Sequence, residues 1–161
     1  MSTPASEIDA TLDATEMAAW TGFLRAHAMI VRDLDAQLRA AHGLPLSSYE
    51  VLLHLAHAPD RRMRMSALAD KVLLTLGGVT RLIDRLEADG LVRRQRCESD
   101  RRGFHAVLTD DGLARLRETR GTHLDGVRER FIARLPAGAA EQLEGIWPSL
   151  LTPGAAAGPT C

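Results

Sequence analysis

Thr75-Leu76-Gly77-Gly78-Val79-Thr80-Arg81-Leu82-Ile83-Asp84-Arg85-Leu86-Glu87-Ala88-Asp89-Gly90-Leu91-Val92-Arg93-Arg94 is the stretch that decides the reading of this chain. Val79, Leu82, Ile83 and Leu86 follow i, i+3, i+4, i+7 spacing, which sets four apolar side chains in one stripe along a helix. The other side carries Thr80, Arg81 and Arg85. Thr75 stands where an N-cap belongs, with a hydroxyl able to accept an unpaired N–H of the first turn. Gly90 stops the pattern. The spacing therefore predicts a helix over 75–89 with a core face and a basic outer face. Gly77 and Gly78 cost it about 1 kcal/mol each relative to Ala. In return they let the backbone come close to a phosphate, beside helix N–H groups that favour anions.

Working outward, 91–96 and Phe104–Leu108 read as two strands joined by Cys97-Glu98-Ser99-Asp100-Arg101-Arg102-Gly103. Ahead of the helix, Ser66 is the expected cap of a short helix through Val72, and 62–65 reads as a short strand. Ser47 and Glu50 have capping-box spacing at the start of an earlier helix, which Pro59 ends. Helix, link, helix and basic hairpin form a DNA-binding arrangement, in which the second helix enters the major groove and reads base edges. On this reading Thr75, Leu76, Gly77, Gly78, Thr80, Arg81 and Arg85 face the duplex from the helix. Alternation sends Arg94 and Arg96 to one face of their strand, toward phosphate, and Arg93 to the other. Arg101 and Arg102 at the hairpin tip suit a minor groove of high negative potential. For each arginine the competing reading is a solvated charge, with Asp84, Glu87 and Asp89 near enough to pair.

The flanks read as a helical frame. Met17, Trp20, Leu24, Ile30, Leu34 and Leu38 recur at helical spacing over 16–41, before Gly43 and Pro45. Thr109 caps a second long helix, with Asp110 and Asp111 at its positive end. Its stripe of Leu113, Leu116, His123, Val127, Phe131 and Leu135 runs to Pro136, and Gly121 and Gly126 weaken it. A last helix over 139–151 offers Leu143, Ile146, Trp147 and Leu150. The expected fold class is mainly α with a small β-wing (α+β): a winged helix-turn-helix lobe at 47–108 within a helical dimerisation region at 16–46 and 109–151. Segments 1–15 and 152–161 are expected to lack fixed structure.

Composition agrees. Apolar residues at 45% and charged residues at 25% are ordinary for a soluble domain, and with only 4% aromatics the core falls to Leu, Val, Ile and Ala. The net charge of −1 hides an asymmetry: residues 61–105 hold eleven Lys and Arg against six Asp and Glu, and the rest holds nine against fifteen. A basic middle between acidic flanks points to one polyanion-binding module. No apolar run approaches the roughly 18 residues of a membrane span, and 1–15 lacks the basic and apolar segments of a signal peptide, so a cytoplasmic protein is expected. Two cysteines make no disulfide framework. The chain has no Gly-rich phosphate loop, strong metal motif or nucleophile constellation, so neither an enzyme nor a cofactor is expected.

The run at 76–94, followed by Asp100-Arg101-Arg102 and then Leu108-Thr109-Asp110-Asp111-Gly112, resembles the MarR family of winged-helix regulators. The likeness is strongest over 64–112 and extends over about 16–151. It implies a homodimer held by the N- and C-terminal helices, a recognition helix at 75–89, and a wing in which Asp100 braces the loop and Arg102 enters the minor groove. It also implies a small-molecule pocket between the dimer helices and the DNA-binding lobe, for which Trp20, His27 and His54 are the candidates. The implied partners are duplex DNA at a pseudo-palindromic operator, a second copy of the chain and an effector, with repression as the expected outcome. Leu76 departs from the small polar residue or Pro that many members carry there; it either meets a thymine methyl or packs.

Three other readings compete. A winged helix can serve as a protein-interaction module, which the acidic frame allows. Cys97, beside Arg96 and Arg101, could be a redox-responsive thiolate. Glu50, His54 and His57 carry zinc-ligand chemistry on one helix face, but an ordinary polar face accounts for them and no metal is expected.

Overall fold

The computed structural model describes residues 12–72, 74–97 and 103–151. Asp100, Arg101 and Arg102 lie outside the described residues, as do most of 1–15 and all of 152–161.

Helix α1 (Ala14–His42) opens on a capping box. The Asp13 carboxylate accepts the Thr15 and Glu16 N–H groups, and Glu16 accepts the Asp13 N–H. The helix thus begins ahead of the apolar period expected from 16, because a cap is a local polar device that periodicity does not register. It ends at Gly43, whose φ of 65° is left-handed and favours glycine.

Helix α2 (Leu46–His57) starts one residue before Ser47, and the expected Ser47–Glu50 capping box does not form. Its N-cap is Pro45, and the Leu46 N–H goes instead to Asp35 Oδ1 on α1, at 2.9 Å. Arg39 and that N–H outweigh the effect of partial burial on Asp35 and hold its carboxyl below the usual range. Helix α3 (Met65–Lys71) follows Arg64 without a side-chain cap, so Ser66 sits inside the helix rather than capping it. Helix α4 (Leu76–Ala88) begins as expected: Thr75 Oγ1 accepts the Gly78 N–H at 3.1 Å.

Strands β1 (Arg62–Arg64), β2 (Val92–Arg96) and β3 (Phe104–Leu108) make one antiparallel sheet in the order β1-β3-β2. Val92 pairs with Leu108, Arg96 with Phe104, and Arg62 with Val107. Helix α5 (Asp110–Arg130) is capped by Thr109, as its sequence indicated. It is shorter than its apolar stripe: Phe131 turns away at φ −121°, ψ −68°, and a 3-10 turn over Ile132–Arg134 follows. Phe131 and Leu135 thus fall beyond the helix, which at 21 residues spans about 32 Å. Helix α6 (Ala139–Leu150) completes the described chain.

The core lies between α2, α3, α4 and the sheet. Tyr49, Val51, Leu52, Leu55, Leu68, Val79, Ile83 and Ala106 are all buried there. The α4 stripe enters it intact, with Val79, Leu82, Ile83 and Leu86 each at most 1% exposed. Only the far end of α1 joins, through Leu34 and Leu38, where α1 crosses α5. Gly126 makes that crossing close: a Cβ there would stand 2.7 Å from Leu34 Cδ2 and 2.2 Å from Gln37 Oε1. The glycine that reads as a weak point in α5 is a contact point between helices. No helix among the described residues is long and apolar enough to cross a membrane.

Candidate nucleic-acid interface

Helix α4 is fixed on one side and open on the other. Its four apolar residues are in the core, and Arg81 and Arg85 project outward, exposed and without an ion pair among the described residues. Two of the three neighbouring carboxylates are engaged elsewhere, and Asp89 forms no ion pair among the described residues. Asp84 and Glu87 both bind Arg94, at 2.5 and 2.7 Å. Two guanidiniums one helical turn apart are therefore left facing solvent. Each can present a two-pronged donor set to a guanine edge or to a phosphate.

The start of the helix is open too. A Cβ on Gly77 would meet nothing within 4 Å, so a second chain can approach its backbone. Leu76 is 56% exposed, so its side chain is not part of this chain's core. Thr80 is exposed, and its hydroxyl donates to the Leu76 carbonyl at 2.9 Å. Leu76 and Thr80 line a trough of about 500 Å³ between α4 and the sheet, whose other wall includes Ser66, Gly103 and Phe104. Arg96 is exposed at the end of β2, with its guanidinium 5.8 Å from the Phe104 ring centroid. A stacked guanidinium of this kind keeps its edge free to donate.

Arg94 departs from the sequence expectation. Strand alternation placed it with Arg96, toward phosphate. Its guanidinium instead folds back onto α4, because two carboxylates and a carbonyl of that helix lie within reach. Partial burial acts to lower its pKa, but the bonds to Asp84 and Glu87 prevail and hold it above the ordinary arginine value. Asp100, Arg101 and Arg102, expected at the wing tip, lie outside the described residues.

Cys97 departs from the expectation that the two cysteines make no disulfide framework. It is 4% exposed, disulfide-bonded, and accepts a bond from Arg64 Nη2 at 3.4 Å. The other cysteine of the chain, Cys161, lies outside the described residues. An open thiolate beside basic neighbours is not what the base of the wing presents.

Of the three expected pocket residues, Trp20 and His27 lie on α1 and His54 on α2. Trp20 is 52% exposed, and its ring stacks on Phe23 at 6.1 Å, which stacks in turn on His27 at 6.3 Å. His54 is half-buried on α2, where burial, then Lys71 and His57, hold its pKa down. None of the three lines the cavity of about 370 Å³ between α1 and α2, which is walled by Val31, Arg32, Leu46, Glu50 and Leu74 among others. Burial raises the Glu50 carboxyl, against the pull of His27. Periodicity gives the face of a helix but not the point where two helices cross, so it could not place that cavity. Among the described residues no three His, Cys, Asp or Glu side chains are grouped to hold a metal ion.

Comparison with known proteins places this architecture. Residues 42–103 match the model of the MarR family. The solved structure of Sco3205, a MarR family transcriptional regulator from Streptomyces coelicolor in complex with DNA, is similar with a TM-score of 0.79. The two are 37% identical, over 86% of this chain and 87% of that one. The chain belongs to the MarR family. AbsC, another MarR family regulator from Streptomyces coelicolor, is 36% identical over 86% of this chain and 94% of its own, with a TM-score of 0.76. The transcriptional repressor YetL of Bacillus subtilis is 34% identical over 79 residues, 49% of this chain and 47% of its own. The matched stretch thus spans about half the length of YetL. This MarR family chain has transcription regulators as its relatives, not enzymes.

Proposed function

We propose that this chain is a cytoplasmic homodimeric repressor that binds a pseudo-palindromic operator and responds to a small-molecule effector. The observation that carries the reading is the state of α4: a helix anchored by a fully buried stripe that directs Arg81 and Arg85, without carboxylate partners among the described residues, away from the core. Thr75, Leu76, Gly77, Gly78 and Thr80 extend that surface toward the helix start, and Arg96 continues it onto the wing. Asp100, Arg101 and Arg102 belong to it by their place in the sequence. Sco3205, solved with DNA, supports the choice of partner, and YetL, a repressor, supports the direction of control.

Dimerisation is supported by surface that the monomer leaves uncovered. Trp20, Phe23 and Leu24 on α1, and Ile146 and Leu150 on α6, are all exposed apolar side chains. The frame of 16–46 and 109–151 would pair these faces and hold two lobes, at 47–108, about 34 Å apart, one turn of the duplex. The cavity between α1 and α2 sits where frame meets lobe, and an effector there would act by favouring one lobe spacing over another.

The test is operator binding by Arg81→Ala, on a duplex recovered by selection. A loss of about 1–3 kcal/mol with relaxed preference at one base pair is expected if Arg81 reads a guanine. Unchanged affinity would remove α4 as the reading element.

A further inference from the structure

Arg94 of β2 is tied to three positions on α4. Its Nη1 donates to Glu87 Oε2 at 2.7 Å, and its Nη2 donates to Asp84 Oδ1 at 2.5 Å and approaches the Thr80 carbonyl oxygen at 3.3 Å. Its backbone N–H donates to Glu87 Oε1 at 2.9 Å. Positions 80, 84 and 87 follow i, i+4, i+7, so they share one face of the helix. That face lies between the buried stripe and the side bearing Arg81 and Arg85. One guanidinium thus spans two turns of α4 and joins them to the middle strand position of the wing.

We infer that Arg94 is a positioning residue for DNA reading: it sets the angle between α4 and the wing and neutralises Asp84 and Glu87, without touching the duplex itself. This rests on the reading of α4 as the recognition helix. A planar fork of five donors meets acceptors at three points, which a single ammonium cannot match. Two rigid elements that must enter neighbouring grooves together depend on their relative angle, and side chains that brace such elements set how well they fit. With Arg94 removed, Asp84 and Glu87 would place two unpaired negative charges on the flank of a helix that approaches a polyanion. The pairs are partly exposed, with the Asp84 side chain at 56% and that of Glu87 at 38%, so their effect on global stability is small and the variants should fold.

The carboxylates decide the matter, because the two roles give opposite signs. Binding of the full chain to its selected operator is measured at two salt concentrations for Glu87→Gln, Asp84→Asn, Arg94→Ala and Arg94→Lys, with thermal unfolding as a control on folding. Glu87→Gln is expected to weaken binding about tenfold, within the range for coupled neighbours, although it removes a negative charge near DNA. Arg94→Ala and Arg94→Lys should weaken it about equally with the salt dependence unchanged, and Glu87→Gln in the Arg94→Ala background should cause no further loss and recover part of the affinity by removing an unpaired charge. Tighter binding by Glu87→Gln or Asp84→Asn would overturn the inference. So would full affinity in Arg94→Lys, or a salt slope lowered by about one ion in Arg94→Ala, since each marks direct phosphate contact. If the unaltered chain selects no sequence at all, the reading of α4 fails and the inference fails with it. If it selects one and the carboxylate variants bind it more tightly, the inference fails alone.

Discussion

The Thr109 hydroxyl faces two ways. It donates to the Gly90 carbonyl at 2.7 Å and accepts the Gly112 N–H at 3.0 Å, so one side chain closes the turn after α4 and starts α5. Thr109→Ala is expected to cost about 1–2 kcal/mol, readable as a shift of the urea midpoint. Gly112 beside it has no room for a side chain: a Cβ would fall 2.1 Å from the Leu91 carbonyl oxygen. That neighbour is backbone, whereas a Cβ on Gly126 meets the flexible ends of Gln37 and Leu34. Gly112→Ala should therefore cost more than Gly126→Ala, with about 1–3 kcal/mol typical of overpacking. Equal losses in urea would mean that α5 shifts as a whole. At this scale the sequence was legible where partners are near in the chain. Thr75 and Thr109 each bond three residues on. Ser47 and Ser66 look equivalent, but Asp35 reaches Leu46 from another helix, and no local pattern contains that bond.

Helix α4 was readable as an element because its stripe is complete and every member is buried. The end of α5 was not, because apolar residues continue in phase past Phe131 while the backbone does not. Arg94 was misplaced for a related reason: alternation assigns a strand face correctly but says nothing of carboxylates on a helix packed above it. The first half of α1 shows the converse. Its apolar period was plain, yet its first members Met17, Trp20 and Leu24 are exposed, as are Phe23 and Met29 outside that period, so the helix anticipates a surface that this chain alone does not bury. Phe23→Glu is expected to yield monomers by light scattering and to lower operator affinity, with the far-UV circular dichroism retained. A dimer of unchanged stability would place the interface elsewhere.

At the scale of the molecule, charge and protonation govern behaviour. Burial holds the pKa of His54, His105 and His123 below the ordinary 6.5, with Arg120 acting in the same direction on His123. The His123 ring packs 4.3 Å from Tyr49, and its Nδ1 is buried without a hydrogen-bond partner among the described residues. The unfolded chain binds these protons more readily than the folded one, so stability falls as pH drops below about 6.5. Glu50, raised by burial, works the other way: its contribution is present below about 4.5 and lost as pH rises through its folded value. Tm is expected to fall between about pH 7.5 and pH 5.5, and His123→Phe should flatten part of that slope, which differential scanning fluorimetry would show. An unaltered slope would assign the dependence to His54 and His105.

The central claim is that two copies of α4 read two half-sites of one duplex. The most direct measurement is selection from a pool of random duplexes at about 50 and about 200 mM salt. The expected result is a two-fold-symmetric motif with half-sites about 10 base pairs apart, bound about a thousandfold less tightly at the higher salt. Recovery of no motif, with weak binding indifferent to salt, would contradict the account and favour a winged helix that serves as a protein-interaction module.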